Sequence, residues 1–369
     1  MNRSTGRRRS IGVRLTVWIA GVFVLAACQR APLVQQESFV FGTQVELSIA
    51  GMDEAPARRA MAAVLAEFDR LHHLLHAWQP SELTKLNAAL AAGRAHAPPA
   101  EVLALIEEAQ RISRQADHLF DPGIGQLIAL WGFQSDEFRT QRPSDDALAA
   151  WRKHRPTIAQ LEIKSGSVSS RERAVALDLG GYAKGVALDR AAGILRSHGV
   201  HHALINIGGN VMALGQKNGT PWRVGIRHPR ESGYLASLEL HDGEAIGTSG
   251  DYQRYFDLAG RRYSHLLDPR VGEPAQGTQA VTILISPEPG RAAGNVGMRS
   301  DALSKPIFIA GPSSWAYYAH QLGVDQVLRV DADGTLTVSE RLARRLTWPP
   351  GAPKAQVIPL PDAKQVPQT

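Results

Sequence analysis

The chain has 369 residues, a formal net charge of +6 and one cysteine. A lone cysteine excludes an internal disulfide framework and a cysteine-rich metal cluster. Five arginines and no acid fall in the first fourteen residues; without them the net charge is +1, and no Lys/Arg run with interleaved aromatics remains to suggest a nucleic-acid partner.

The basic segment (Arg3, Arg7, Arg8, Arg9, Arg14) runs into an apolar stretch, Val17 to Ala27, that ends at Cys28. These are the parts of a secretory signal peptide, since the apolar run is shorter than the roughly 18 to 20 residues a spanning helix needs. Leu25-Ala26-Ala27-Cys28 resembles the lipobox of bacterial lipoproteins. That resemblance implies cleavage before Cys28, diacylation of its thiol and a soluble domain tethered to a lipid membrane. Gln29 stands after the cysteine where an Asp would be a retention signal, so the expected location is the periplasmic face, at the Gram-negative outer membrane. The boundaries read as signal peptide over 1–27, tether over 28–38, one folded domain over 39–347 and a Pro-rich, unstructured tail over 348–369. About 340 mature residues suffice for one large core or two lobes.

Along the mature chain, Phe39 to Ile49 alternates like a strand. Met61, Leu65, Phe68 and Leu71 put one apolar face on a helix from Ala55 to Leu75, and Ala100 to Ala116 repeats that period. A strand-like Val175 to Asp178 meets a Gly-Gly turn and an amphipathic helix from about Ala183 to Ser197, then strands at Ala203 to Ile207 and Trp222 to Ile226. Gln253 to Asp257 and Arg262 to Leu266 flank an Ala-Gly turn as a hairpin, followed by a strand at Ala280 to Ile285. Helices are expected at Asp301 to Ile309 and Ser314 to Leu322. Helices in the first half and strands in the second make an α+β class.

Three stretches carry the chemistry. Leu177-Asp178-Leu179-Gly180-Gly181-Tyr182-Ala183-Lys184-Gly185 is an anion site by its parts: glycines that let backbone approach, a helix N-terminus, and Lys184 one turn in. It has neither Walker nor dinucleotide spacing, and by itself reads equally well as a tight turn beside a solvated lysine. Gly247-Thr248-Ser249-Gly250-Asp251-Tyr252 and Tyr263-Ser264-His265-Leu266-Leu267-Asp268-Pro269-Arg270-Val271-Gly272 supply phosphate donors and a proton acceptor, although a histidine ending a strand is more often a structural hydrogen-bonder. Asp301, opening an apolar helix, could cap that helix or hold a metal.

These motifs occur in the order and spacing of ApbE proteins, together with Phe41-Gly42-Thr43, Ser81-Glu82-Leu83, Leu86-Asn87, Phe120-Asp121-Pro122 and Leu130-Trp131-Gly132-Phe133. The chain therefore resembles the ApbE family over roughly residues 39 to 310. The resemblance implies a single two-lobed α+β domain with a mixed sheet and flanking helices. It implies an enzyme that moves FMN from FAD, with magnesium, onto a Thr or Ser hydroxyl of an exported flavoprotein such as a redox-pump subunit, releasing AMP. It also implies the site. Asp178, Gly180, Gly181, Lys184, Thr248, Ser249, Gly250, Trp78, Ser81, Glu82 and Asp121 would bind FAD; Asp251 and His265 would activate the acceptor; the Ala183 carbonyl and Asp301 would ligate the metal. Two positions depart from the family. Lys305 stands where a Thr or Ser usually completes the metal site, and an ammonium cannot ligate a cation; Val271 stands where a Thr or Ser usually precedes Gly272. Lys305 could pair with Asp301 in place of the ion, or turn away and leave a site completed by water. Two further activities stay open: a flavin-binding lipoprotein without turnover, and an FAD pyrophosphatase.

Overall fold

The computed structural model describes residue 1 and residues 32–135, 140–288 and 295–360. The signal segment and Cys28 lie outside the described residues, as does the end of the tail, 361–369. Among the described residues, nine strands form one sheet whose spatial order follows the chain: β1 (Leu33–Val40), β2 (Thr43–Ala50), β3 (Ala203–Ile207), β4 (Asn210–Leu214), β5 (Ala245–Gly250), β6 (Thr278–Ile285), β7 (Val327–Asp331), β8 (Leu336–Ser339) and β9 (Gln356–Ile358). Every neighbouring pair is antiparallel except β8 and β9, which run parallel with Val338 opposite Val357.

Helix α1 (Glu54–Leu75) follows the β1–β2 hairpin. Then come α2 (Glu82–Ala91), α3 (Ala100–Gln115), α4 (Gly125–Leu130) and α5 (Asp145–His154), α6 (Ala183–Ser197) before β3, and α7 (Val296–Ile309) and α8 (Gly311–Gln321) between β6 and β7. One face of the sheet packs α1, α6 and α7 into the main core, joining Val45, Leu47, Phe68, Leu188, Ile205, Ile283 and Ile307. The opposite face gathers Ile246, Leu284 and Val338 against a hairpin, Trp222–Arg227 with Tyr234–Leu240. A third cluster joins Leu127, Trp131, Phe133 and Trp151 to Phe256 and Tyr263 of a second hairpin, Tyr255–Leu258 with Arg261–Ser264. Its rings stack, Tyr263 on Phe256 at 5.2 Å and on Trp131 at 5.6 Å, and fix the hairpin strand that ends at Ser264.

Several expectations are corrected. The alternation from Phe39 to Ile49 is two strands, because Phe41 (φ 57°) and Gly42 (φ 67°) turn the chain back on itself. The tether read over 28–38 contains most of β1, and the Pro-rich tail contributes β9. Val175 to Asp178 is extended but belongs to no sheet: the Asn87 amide accepts from Leu177 N at 2.7 Å and donates to Leu177 O at 2.8 Å, as a neighbouring strand would. On its other side Pro122 O accepts from Asp178 N, and Gly123 O from Ala176 N. The α7 helix begins five residues before Asp301. Its start carries no side-chain cap of its own; Asp189 of α6 accepts from Gly297 N and Met298 N, both at 2.8 Å. An α7 buried on nearly every side has no amphipathic period to read.

Candidate functional site

The centre of the site is where α6 and α7 begin to cross. Their approach is set by two glycines: a Cβ on Gly185 would lie 2.3 Å from Gly297 O and 2.7 Å from Asp301 Cβ, and one on Gly297 would lie 2.6 Å from Gly185 O. That closeness brings Asp301, 1% exposed, to the first turn of α6, where its Oδ2 accepts from Gly185 N at 2.9 Å. Lys305, one turn further along α7, donates from Nζ to Asp301 Oδ1 at 2.6 Å and to Asp301 O at 2.8 Å. Burial raises the Asp301 carboxyl, but the ammoniums of Lys305 and Lys184 and the two hydrogen bonds outweigh it and hold the group below its ordinary range. Lys305 itself is lowered, by burial first and by Lys184, against the pull of Asp301.

The strand-to-helix turn closes over this pair. Asp178 Oδ1 accepts from Gly180 N at 2.9 Å and Oδ2 from Gln134 Nε2 at 3.2 Å, so this carboxylate shapes the turn from behind. Gly180 is exposed. A Cβ on Gly181 would meet Phe120 Cε2 at 3.4 Å and the Lys305 stem at 3.6 Å. Neither glycine has the positive φ that turns often demand; they leave backbone open at the site. Lys184 is half-buried and makes no ion pair with a described residue. Ala183 opens α6, its N–H donating to Leu179 O.

His265 follows the second hairpin. Its N and Nδ1 both point to Arg254 O, at 3.0 and 3.1 Å. A carbonyl can only accept, so Nδ1 carries the proton and Nε2 keeps a lone pair. Burial, then Lys184, Arg254 and Lys305, push the imidazole down to about 3, so it is neutral at physiological pH. Arg254 ties this histidine to Trp78: the guanidinium lies 6.0 Å over the exposed indole and donates to Phe133 O at 2.7 Å. Arg254 thus links the Trp78 indole and the Phe133 carbonyl to His265.

The structure divides the remaining candidates. Ser249 faces α7 and shares a hydrogen bond of 2.8 Å with Ser304, while Thr248 bonds Thr282 on the opposite face of the sheet at 2.9 Å. Successive strand residues point to opposite faces, so these two side chains do not wall one pocket. Gly250 ends β5, where a Cβ would meet the Tyr252 ring at 2.3 Å. Asp251 is not free to act as a base: Arg230 clasps both its oxygens, at 2.7 and 2.6 Å, beside a cavity of 340 Å³ lined by Arg262, Ser264 and Thr278. Ser81 is the N-cap of α2 and Glu82 pairs with Lys85 at 2.6 Å. Asp121 Oδ1 accepts from Gly123 N and Ile158 N, both at 2.8 Å, bracing the segment that flanks residues 176–178. All three side chains are engaged in local hydrogen bonds of the scaffold. Sequence reasoning missed Arg230, Asp189, Arg254 and Ser304, whose partners lie 21, 108, 11 and 55 residues away.

The donor set does not fit magnesium. Asp301, the one carboxylate expected to ligate it, has both oxygens and its carbonyl engaged by Gly185 and Lys305, and Lys305 brings an ammonium where a ligand oxygen would stand.

Residues 41–328 match the model of the ApbE family. An FAD:protein FMN transferase from Rhodobacter capsulatus is 39% identical over 89% of this chain; the chain spans 61% of that relative's length. One from Klebsiella pneumoniae (strain 342) is 29% identical, covering 77% of this chain and 80% of the relative. The solved ApbE protein of Thermotoga maritima superposes with a TM-score of 0.76 at 29% identity, over 85% of this chain and 99% of that one.

Proposed function

The chain belongs to the ApbE family, and from that membership we propose that it is an FAD:protein FMN transferase. The reaction joins a Thr or Ser oxygen of a protein acceptor to the FMN-side phosphorus of FAD, breaks the pyrophosphate bond and releases AMP. The observation that carries this reading is the His265 imidazole, held through Nδ1 by Arg254 O and within electrostatic reach of Lys184 and Lys305. His265, held by Arg254 O with its lone pair on Nε2, can take the acceptor hydroxyl's proton as the new P–O bond forms. Lys184 and the Lys305–Asp301 pair offset the charge of the pyrophosphate and of the departing AMP phosphate. Gly180 and Gly181 leave backbone room for phosphate oxygens, and the exposed Trp78 indole beneath the Arg254 guanidinium suits a flat flavin ring.

Asp251 enters this scheme as a positioning residue paired to Arg230. The acceptor is an exported flavoprotein, redox-pump subunits being the class that the family resemblance names. The lipobox at Cys28 supports a lipoprotein anchored in a lipid membrane and facing the periplasm, at the outer membrane. One observation favours a second reading, a flavin carrier without turnover: Lys305 occupies the carboxylate that would hold the catalytic ion. Water in place of the hydroxyl would give a pyrophosphatase. Incubation with FAD and a candidate acceptor, followed by flavin fluorescence in a denaturing gel, separates the three. Covalently labelled acceptor supports the transferase; free FMN and AMP without label, or bound FAD without products, overturns it.

A further inference from the structure

An ammonium sits against the buried carboxylate of the site. Lys305 Nζ uses two of its three protons on Asp301, one on Oδ1 and one on the backbone carbonyl. Its stem lies against Gly181, so the third proton is left at the turn that Lys184 flanks. Asp301 cannot rotate to free an oxygen without cost, because Oδ2 satisfies Gly185 N at the glycine crossing of α6 and α7. Lys184 makes no ion pair among the described residues, so its ammonium adds positive charge beside the Lys305–Asp301 pair.

We propose that Lys305 is a built-in cation that takes the place of a divalent metal, so that this protein binds the pyrophosphate of FAD without magnesium. The inference rests on the flavin reading of the site but goes beyond it, since it assigns the counter-charge to a side chain. A divalent ion entering here would have to displace the ammonium from Asp301 and would meet its repulsion a few ångströms away. Lys305 also gives a fixed charge with no coordination geometry to satisfy, and its Asp301 partner keeps it from the solvent.

The test compares FAD affinity, read by flavin fluorescence, in chelator and in magnesium. For the wild-type protein the two dissociation constants should agree within about twofold, whereas Lys305→Thr should bind FAD at least about tenfold more weakly in chelator and recover with magnesium. Lys305→Met, which keeps the stem and removes the charge, should lose affinity and not recover. A wild-type affinity that rises about tenfold or more on adding magnesium overturns the proposal. Manganese titration followed by electron paramagnetic resonance, with no flavin present, supplies an independent arm: the wild type should leave the free-ion signal unchanged, and stoichiometric uptake by it overturns the proposal. If the wild type binds FAD in neither buffer, the flavin reading of the site fails, and the manganese arm still decides the role of the lysine.

Discussion

Arg230 holds Asp251 through both of its oxygens, in a pair that is part-buried at the edge of β5. A carboxylate so engaged has both oxygens committed to the guanidinium and fixes the geometry of the loop that follows the strand. Asp251→Asn should therefore cost about 1.5 to 3 kcal/mol of stability in urea unfolding, as the loss of a charged hydrogen-bonded pair does. The pH dependence of transfer should keep its shape, and Arg230→Ala should behave alike. Loss of a limb of the pH–rate profile in Asp251→Asn would restore Asp251 as the base.

His265 gives a second prediction. His265→Gln should lower the rate of transfer by about 10² to 10⁴ while FAD affinity changes little, as expected for loss of a general base. Stability carries an independent sign. The folded imidazole is pushed down to about 3, whereas an unfolded histidine titrates near 6.5, so between those values the unfolded chain binds the extra proton. Wild-type stability should fall as pH drops through that window, and the fall should be smaller in the variant. Asp189, pushed up to about 6 by burial against two amide hydrogen bonds, acts in the opposite direction, losing stability as pH rises from about 4 through 6. Only the difference between wild type and His265→Gln isolates the imidazole; a difference that does not vary with pH would refute its neutral burial.

Lys184 has no ion-pair partner among the described residues, so its removal should leave the fold intact. Lys184→Ala should weaken FAD binding by about 1.5 to 3 kcal/mol, the range for a charge-assisted hydrogen bond, with an unchanged melting temperature. An unaltered FAD titration would remove Lys184 from the phosphate site.

The glycine crossing is testable by one methyl group. Gly185→Ala would force a Cβ to 2.3 Å from Gly297 O, which α6 and α7 can relieve only by moving apart. Overpacking of this kind costs about 1 to 3 kcal/mol or more. Thermal unfolding should shift down, and FAD affinity should fall with it because the Asp301 contact to Gly185 N is displaced. Gly193→Ala, on the same helix with nothing within 4 Å of its added carbon, is the matched control and should be neutral or stabilising.

Cys28→Ser tests the anchor. Membrane fractionation and N-terminal processing should show an uncleaved or mislocalised precursor, since the thiol is the sole attachment point for the acyl chains. Normal cleavage and membrane recovery of the Ser variant would rule the lipoprotein reading out.

The sequence alone determined the features whose physics is local. The apolar stripe of Met61, Phe68 and Leu71 specified α1; the glycine pair followed by an apolar-periodic run specified the turn into α6; Ala259-Gly260, both at positive φ, specified the hairpin before His265. Ordered motifs gave the family, because each is a short run of neighbours. The i, i+4 spacing of Asp301 and Lys305 made their pairing a readable alternative, since such residues are neighbours on a helix. Tertiary structure decided which alternative holds, by bringing Gly185 N to the other oxygen of Asp301 across 116 residues of chain. It also decided that Asp251 belongs to Arg230, that Ser249 and Thr248 face opposite sides of the sheet, and that Asp189 caps α7. The β6 strand, buried at every position, and α7, buried on nearly every side, lost the periodicity that marks a half-exposed element, so their neighbours were invisible in sequence. A partner that is distant along the chain leaves no local pattern, and here it is distant partners that divide the residues holding charge at the site from those that only support it.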